Sequence, residues 1–308
     1  MKILITGGAG FIGSNLCDYL LLNGNELVVI DDLSTGRKIN LSSIVDKIDF
    51  IREKIEFFDF DKVTDVDVVV HLAAQPSVPL SIKNFAESSS SNMLGTIKVI
   101  EYCRTKKIPL IYASSSAVYG NLLLGDDEKK TVELMSPYAT DKYVMELYAE
   151  AAHNLYQLSS IGLRFFNVYG PRQDPSSPYS GVISIFADRI LNGQEITING
   201  GYQTRDFVYV KDVVKTIHSA IILASNELIC EVSNVLTGKF LTIDTLADQM
   251  MDVIGIQVNK IYQDLQEGDL EQSNGTVKKM ARLFSNELSE FLNLKEGLQE
   301  TIKSIKGI

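Results

Sequence analysis

The stretch Gly7-Gly8-Ala9-Gly10-Phe11-Ile12-Gly13 follows the apolar run Ile3-Leu4-Ile5-Thr6 and opens an amphipathic segment, residues 12–23. Glycine lacks a Cβ, so the backbone can turn sharply at Gly7 or Gly8, a pyrophosphate can approach at Gly10, and a helix can pack on its strand at Gly13. A helix that starts there aims its free N–H groups at the phosphates. A second apolar run, residues 27–30, ends at Asp31-Asp32, where Asp31 is placed to take ribose hydroxyls. An anion at that point repels a 2′-phosphate, so the turn reads as a site for NAD rather than NADP, although Arg37 tempers the inference.

Working outward, apolar runs at residues 66–72, 110–113 and 161–165 alternate with helical patterns at 89–105 and 137–156. Uninterrupted apolar runs suit strands buried on both faces, and their alternation with helices is the βαβ rhythm. The expected fold is α/β, a Rossmann-type doubly wound parallel sheet with a smaller, discontinuous C-terminal substrate lobe. Residues 1–170 are assigned to the NAD-binding domain, with 207–235 returning to it, and 171–206 and 236–308 to the substrate lobe. The change follows Gly170-Pro171, where Pro175, Pro178 and Gly181 crowd together. The run Ser88-Ser89-Ser90-Ser91 could pass for a linker, and its neighbour Asn92-Met93-Leu94-Gly95-Thr96 reads better as a helix entry capped by serine. Ligands belong at the carboxyl ends of the strands.

With 308 residues, 45% of them hydrophobic, the chain can bury a large core. Its net charge of −10 argues against a phosphate-tracking surface, so no nucleic-acid partner is expected. Cys17, Cys103 and Cys230 are far apart and sit in apolar patterns, as reduced thiols do. His71, His153 and His218 lack ligand spacing, so no metal is expected. The apolar stretch 66–74 is too short to span a membrane and contains Asp67 and His71. Met1-Lys2 runs straight into the first strand, so the expected location is cytoplasmic, without leader or membrane anchor.

The strand at 110–113 runs into Ser114-Ser115-Ser116-Ala117-Val118-Tyr119-Gly120, and Tyr138-Ala139-Thr140-Asp141-Lys142 begins a helix. Residues four apart share a helix face, so the Lys142 ammonium can stabilise a Tyr138 phenolate. A free phenol titrates near ~10 and needs such neighbouring positive charge to act as a base.

The glycine turn, the serine-rich strand end and the Tyr138/Lys142 pair, in this order and spacing, resemble the extended short-chain dehydrogenase/reductase family over essentially the whole chain. Further stretches carry the likeness: Leu72-Ala73-Ala74, Asn92 with Gly95-Thr96, residues 163–170, and Arg205-Asp206-Phe207-Val208-Tyr209-Val210. Within that family the chain looks like a nucleotide-sugar 4-epimerase. The resemblance implies that Ser115, with Ser116 in reserve, hydrogen-bonds the sugar's 4-oxygen, that Tyr138 is the base, and that Lys142 also holds the nicotinamide ribose. It assigns NAD contacts to Gly7, Gly10, Phe11, Ile12, Gly13, Asp31, Asp32, Ser34, Thr35, Gly36, Asp59, Phe60, Leu72, Ala73, Ala74, Gln75 and Asn92. It places Ser77, Asn167, Val182, Ile198 and Arg205 around the nucleotide and diphosphate of the substrate, a UDP-sugar.

Related dehydratases carry an Asp-Glu pair where this chain has Ser116-Ala117, and related uronate decarboxylases carry Glu at the place of Ala117. The simplest reaction is therefore epimerisation. Gly268-Asp269-Leu270-Glu271-Gln272-Ser273 resembles the segment whose last residue gates the sugar's C2 substituent, bulky in glucose-only enzymes and small in those admitting N-acetylhexosamines. Ser273 is small. The expectation is interconversion of UDP-N-acetylglucosamine and UDP-N-acetylgalactosamine, with UDP-glucose and UDP-galactose as further substrates, and a glucose-restricted enzyme as the rival. Relatives usually place an arginine where this chain has Gln266; Arg205, Lys260 or Arg172 could compensate. The resemblance also implies a homodimer built on helices 89–105 and 138–156.

Overall fold

Ile3, Leu4 and Ile5 are fully buried, as a strand covered on both faces requires. The computed structural model of the chain describes residues 1–176, 181–265, 270–284 and 291–306. Pro178, Gln266, Gly268 and Asp269, singled out above, lie outside the described residues. In chain order the strands are β1 (Lys2–Thr6), β2 (Glu26–Ile30), β3 (Asp49–Ile51), β4 (Val68–His71), β5 (Leu110–Ser115), β6 (Ser160–Phe165), β7 (Asn167–Tyr169), β8 (Ile196–Asn199), β9 (Thr204–Tyr209), β10 (Cys230–Val235), β11 (Phe240–Thr242), β12 (Lys260–Gln263) and β13 (Gln272–Ser273). The helices are α1 (Phe11–Leu22), α2 (Val78–Lys83), α3 (Phe85–Lys106), α4 (Pro137–Tyr156), α5 (Val182–Leu191), α6 (Val210–Asn226), α7 (Ile243–Ile254), α8 (Lys278–Leu283) and α9 (Leu294–Lys306).

A seven-stranded sheet has the order β10-β6-β5-β4-β1-β2-β3, the Rossmann-type core expected from the alternating pattern. β1 pairs in parallel with β2 on one side and β4 on the other, so the chain's winding reverses between β1 and β4. The registers set Thr6 beside Ile30 and His71, and His71 beside Tyr112. Their carboxyl ends are therefore level, and the loops that carry the chemistry start side by side. On one face of the sheet, Leu4, Val28, Ile30 and Val69 pack with Val99 and Cys103 of α3 and Met145 and Ala149 of α4.

One local expectation needs correcting. Serines 88–91 lie inside α3, which begins at Phe85 after Asn84, because Phe85-Ala86-Glu87 supplies one more helical turn. Ser88 is buried there and its hydroxyl accepts a hydrogen bond from Gln75 Nε2. By contrast α4 starts where the sequence places it. Ser136 caps it by accepting from the N–H of Ala139 at 3.1 Å, and Pro137 occupies the first turn, where its missing N–H costs nothing.

The chain divides into two compact units. One comprises residues 1–118, 134–164 and 214–233, and the other residues 119–133, 165–213 and 234–308. In the second unit β9 is central, antiparallel to β11 and parallel to β7 and β13. Asn234 ties that unit's segments together. Its Oδ1 accepts from the Tyr119 hydroxyl at 2.6 Å, and its Nδ2 donates to the carbonyls of Gly125 and Thr276, each at 3.1 Å. No helix among the described residues is long and apolar enough to cross a membrane.

Asn234→Ala strips a partner from one buried hydroxyl and two carbonyls. We expect a loss of about 2–4 kcal/mol, read as a lower urea midpoint at unchanged m-value; an unchanged midpoint would show that the hub carries no stability.

Candidate active site

Gly7 has φ +74, and a Cβ on it would sit 2.7 Å from the backbone nitrogen of Ala73. The loops that follow β1 and β4 therefore touch, and only glycine fits at the contact. At Gly13 a Cβ would meet the Gly7 carbonyl oxygen at 2.2 Å, so the helix can close on the turn only without one. Gly10 is the N-cap of α1 and offers no side-chain cap, and the first turn of α1 holds no acidic residue. That leaves an anion-binding helix end between bare backbone walls.

Asp31 follows β2 directly and is buried. Its Oδ2 accepts from the N–H of Ala9 at 2.9 Å and its Oδ1 from the N–H of Leu33 at 2.8 Å. Burial raises its pKa above the ordinary 3.8 and these amide bonds pull it back. Gly36 passes so close that a Cβ there would lie 2.7 Å from Asp31 Oδ1. Asp32 Oδ1 takes both the N–H and the hydroxyl of Ser34, at 2.8 and 2.6 Å, and Ser34 and Thr35 are exposed. Asp59 is exposed and accepts from the N–H of Asp61, and Phe60 stacks on Tyr102 at 4.8 Å between ring centroids.

The loop after β4, Leu72 to Gln75, is held from two sides. Asn92, buried on α3, accepts from the N–H of Gln75 at 2.8 Å and donates to Asp141 Oδ2 of α4 at 3.0 Å. From β1, Thr6 Oγ1 accepts from the N–H of Ala73 at 3.2 Å and bonds His71 Nδ1 at 2.7 Å. Burial pushes His71 down to about 3, so its ring is neutral. Thr96 Oγ1 donates to the Asn92 carbonyl at 2.7 Å, which leaves it to accept from His71 Nε2 at 3.3 Å and fixes the tautomer. Thr6, His71, Thr96 and Asp141 were given no role in the site from the sequence. A histidine and a threonine inside strands buried on both faces were the available signal, since buried polar groups need partners.

At the end of β5 the side chain of Ser115 hydrogen-bonds Tyr138, in the first turn of α4. Lys142 is buried, donates from Nζ to the Ala113 carbonyl at 2.7 Å, and lies 5.7 Å from the centroid of the Tyr138 ring. Desolvation dominates both groups. It raises the Tyr138 phenol above the usual 10.0, countered by Ser115, and lowers Lys142 to about 8, countered by Asp141 and Glu146. Ser116 and Ala117 follow in a short 3-10 turn, and Ser115 Oγ accepts from the N–H of Ala117 at 3.1 Å.

Other candidates of the first unit and those of the second are placed less uniformly. Ser77 caps α2, its hydroxyl accepting from the N–H of Leu80 at 3.1 Å. In the second unit Ser273 pairs in register with Arg205, and Asn167 pairs with Phe207, so β9 gathers three candidates on one small sheet. Asn167 Nδ2 donates to the Asp206 carbonyl at 3.0 Å. Val182 opens α5 and is partly exposed, whereas Ile198 is fully buried in β8 and presents no side-chain surface. Lys260 is engaged by Asp244 at 3.0 Å and Asp248 at 2.7 Å, which removes it as a substitute for the missing arginine.

A glycine cradle, an acidic β2 end and a Ser/Tyr/Lys group thus share one sheet edge. The model of the NAD dependent epimerase/dehydratase family matches residues 3–232. The chain belongs to that family. A putative UDP-glucose 4-epimerase of Methanocaldococcus jannaschii is 39% identical over 312 residues, 99% of this chain and 98% of the relative. The solved structure of the UDP-N-acetylglucosamine 4-epimerase of Methanobrevibacter ruminantium M1, in complex with UDP-N-acetylmuramic acid, superposes with a TM-score of 0.90 at 35% identity, covering 99% of this chain and 98% of that one. The UDP-glucose 4-epimerase of Thermotoga maritima with UDP-glucose gives 0.90 at 33% identity, over 100% and 99%. As a member of the NAD dependent epimerase/dehydratase family, the enzyme uses NAD, and the bare glycine cradle fits its pyrophosphate.

The lowered Lys142 has a measurable consequence. A lysine that titrates near 8 in the fold and near 10.5 when unfolded is buried as a cation at a cost below pH 8, and the cost vanishes as pH rises. The unfolded state binds the extra proton in that window, so the NAD-free enzyme should gain stability relative to Lys142→Met between pH 8 and 10. Urea titrations of both proteins across that range check this, and a flat difference would contradict it.

Proposed function

We propose that the enzyme is a 4-epimerase interconverting UDP-N-acetylglucosamine and UDP-N-acetylgalactosamine, with UDP-glucose and UDP-galactose as further substrates. The observation that carries the reading is the hydrogen-bonded Ser115–Tyr138 pair with Lys142 behind it, and with no further acid at Ser116-Ala117. Tyr138 accepts the proton of the sugar's 4-hydroxyl while Ser115 holds the 4-oxygen. The chemistry NAD supplies when bound is reversible hydride uptake at C4, and its positive ring adds the field that a phenolate needs. Lys142, 5.7 Å from the centroid of the phenol ring, adds a second positive charge and would hold the nicotinamide ribose. The 4-keto sugar then turns its opposite face, C4 regains the hydride on that face, and Tyr138 returns the proton to the 4-oxygen. A dehydratase would need one more acid, and Ser116 and Ala117 supply none.

The contacts of the glycine turn, Asp31, the loop 72–75 and Asn92 support their assignment to NAD, and those of β7, β9 and β13 support assigning Asn167, Arg205 and Ser273 to the substrate. Ser273 is the support for N-acetylated sugars, since its small side chain leaves room at C2. The UDP-glucose reading keeps its own support from the names of the Methanocaldococcus and Thermotoga proteins. The place of Arg205 on β9, in register with Ser273, supports it as the cation for the diphosphate. Exposed Leu94 and Ile97 on α3 and Leu147 and Tyr148 on α4 support the expectation of a homodimer.

Purified enzyme should convert UDP-N-acetylglucosamine to the galacto epimer without added reductant, followed by anomeric proton NMR over a panel of UDP-hexoses. No conversion of any of them by folded protein would sink the proposal. Tyr138→Phe should lose on the order of 10²–10⁴-fold in kcat and keep its NAD. Ser273→Tyr should cost the N-acetylated substrates more than UDP-glucose, and equal losses would remove the gate.

A further inference from the structure

Three consecutive residues at the end of β5 are bonded to three successive turns of α4. Ser115 meets Tyr138, the Ala113 carbonyl accepts from Lys142 Nζ at 2.7 Å, and Ser114 Oγ donates to Glu146 Oε1 at 2.5 Å. Tyr138, Lys142 and Glu146 are spaced by four residues and share one helix face. Glu146 is 6% exposed. Arg164 of β6, 4% exposed, grips it with both arms of its fork, Nε to Oε1 at 2.8 Å and a terminal nitrogen to Oε2 at 2.6 Å. β6 neighbours β5 in the sheet, so one carboxylate binds two strands and the catalytic helix.

An ion pair this deeply buried gains little stability over an apolar pair of similar volume, because both charges must leave water. Its value lies elsewhere. We propose that Glu146 is a positioning residue for the reaction: fixed by Arg164 and Ser114, it holds α4 against β5 in the register that sets Tyr138 on Ser115, and its charge keeps Lys142 an ammonium. This rests on the roles given to Tyr138 and Lys142 above. The surroundings agree with it. Burial alone drives Lys142 toward neutrality, and Asp141 and Glu146 are the two carboxylates that oppose it. Asp141 also accepts from Asn92. From the other elements, His71 of β4 is neutral, Tyr112 of β5 is held well above its ordinary pKa by burial first and by the Glu146 charge second and so stays a neutral phenol, and Arg164 of β6 is bound to Glu146 itself.

The test uses Glu146→Gln, Ser114→Ala, and the charge-free double variant Glu146→Leu/Arg164→Met. In 13C-lysine-labelled, NAD-free protein, with the Lys142 signal assigned through Lys142→Met, Glu146→Gln should lower the Lys142 titration midpoint by about one pH unit. In the loaded enzyme it should lower kcat more than it changes KM, and move the alkaline fall of kcat to lower pH. Ser114→Ala keeps the ion pair and the fold, and should lose on the order of tenfold in kcat at nearly constant KM. The double variant should stay folded and still lack kcat. Wild-type kcat in both Ser114→Ala and the double variant, or an unmoved Lys142 midpoint in Glu146→Gln, would overturn the inference. If the wild-type enzyme turns over no UDP-sugar, the proposed reaction has failed, and the NMR titration still decides whether Glu146 sets the charge on Lys142.

Discussion

The parallel pairing of β1 with β4, Thr6 beside His71, is the constraint from which the site follows. The winding of the chain reverses between these strands, which is where open α/β sheets bind ligands beyond their carboxyl edge. The loops that follow β1 and β4 touch, Gly7 against Ala73, and that contact tolerates no side chain at Gly7. The same register places Thr6, His71 and Thr96 in one directed hydrogen-bond chain that runs to the carbonyl of Asn92. A change at the glycine turn is thus felt at the loop 72–75 and, through Asn92, at Asp141 next to Lys142. The cofactor cradle and the catalytic helix are set by one connected structure.

The electrostatics of that structure are incomplete in the chain alone. Tyr138 is raised and Lys142 lowered, both by desolvation, which is the reverse of what proton abstraction from a sugar hydroxyl requires. The chain supplies partial remedies, with Ser115 bonded to the phenol and two carboxylates beside the ammonium. On the proposed reading the remaining field arrives with the oxidised cofactor, so base strength depends on the cofactor's charge and falls when hydride has been taken up.

Much of the first unit was legible because strands buried on both faces write uninterrupted apolar runs, and β1, β2, β4, β5 and β6 do so. The start of α4 was legible from Tyr138 and its spacing to Lys142. Short pieces were not: β3 has three residues, and β13 is Gln272–Ser273, whose strand character exists only through pairing with β9. The serine run misled because capping preference says where a serine is favoured, not that it must stand at an end, and Ser88 instead fills a buried bond to Gln75. Glu146 was passed over since an acid on an amphipathic helix reads as a wet face. Arg164 was the missed clue, for a cation in the middle of a buried strand has to have a buried anion facing it.

Three cations were open as replacements for the arginine absent at position 266, and two carboxylates hold Lys260. Arg205 stands in register with Ser273 on the neighbouring strand. If Arg205 holds the diphosphate, the anchor of the nucleotide and the residue that sets room at C2 are fixed by one strand pairing. A shift of β13 along β9 would then alter diphosphate binding and sugar tolerance together, whereas a change of side-chain size at Ser273 alone would alter only the second. Sugar selectivity is in that sense a property of backbone register first and of the gate residue second.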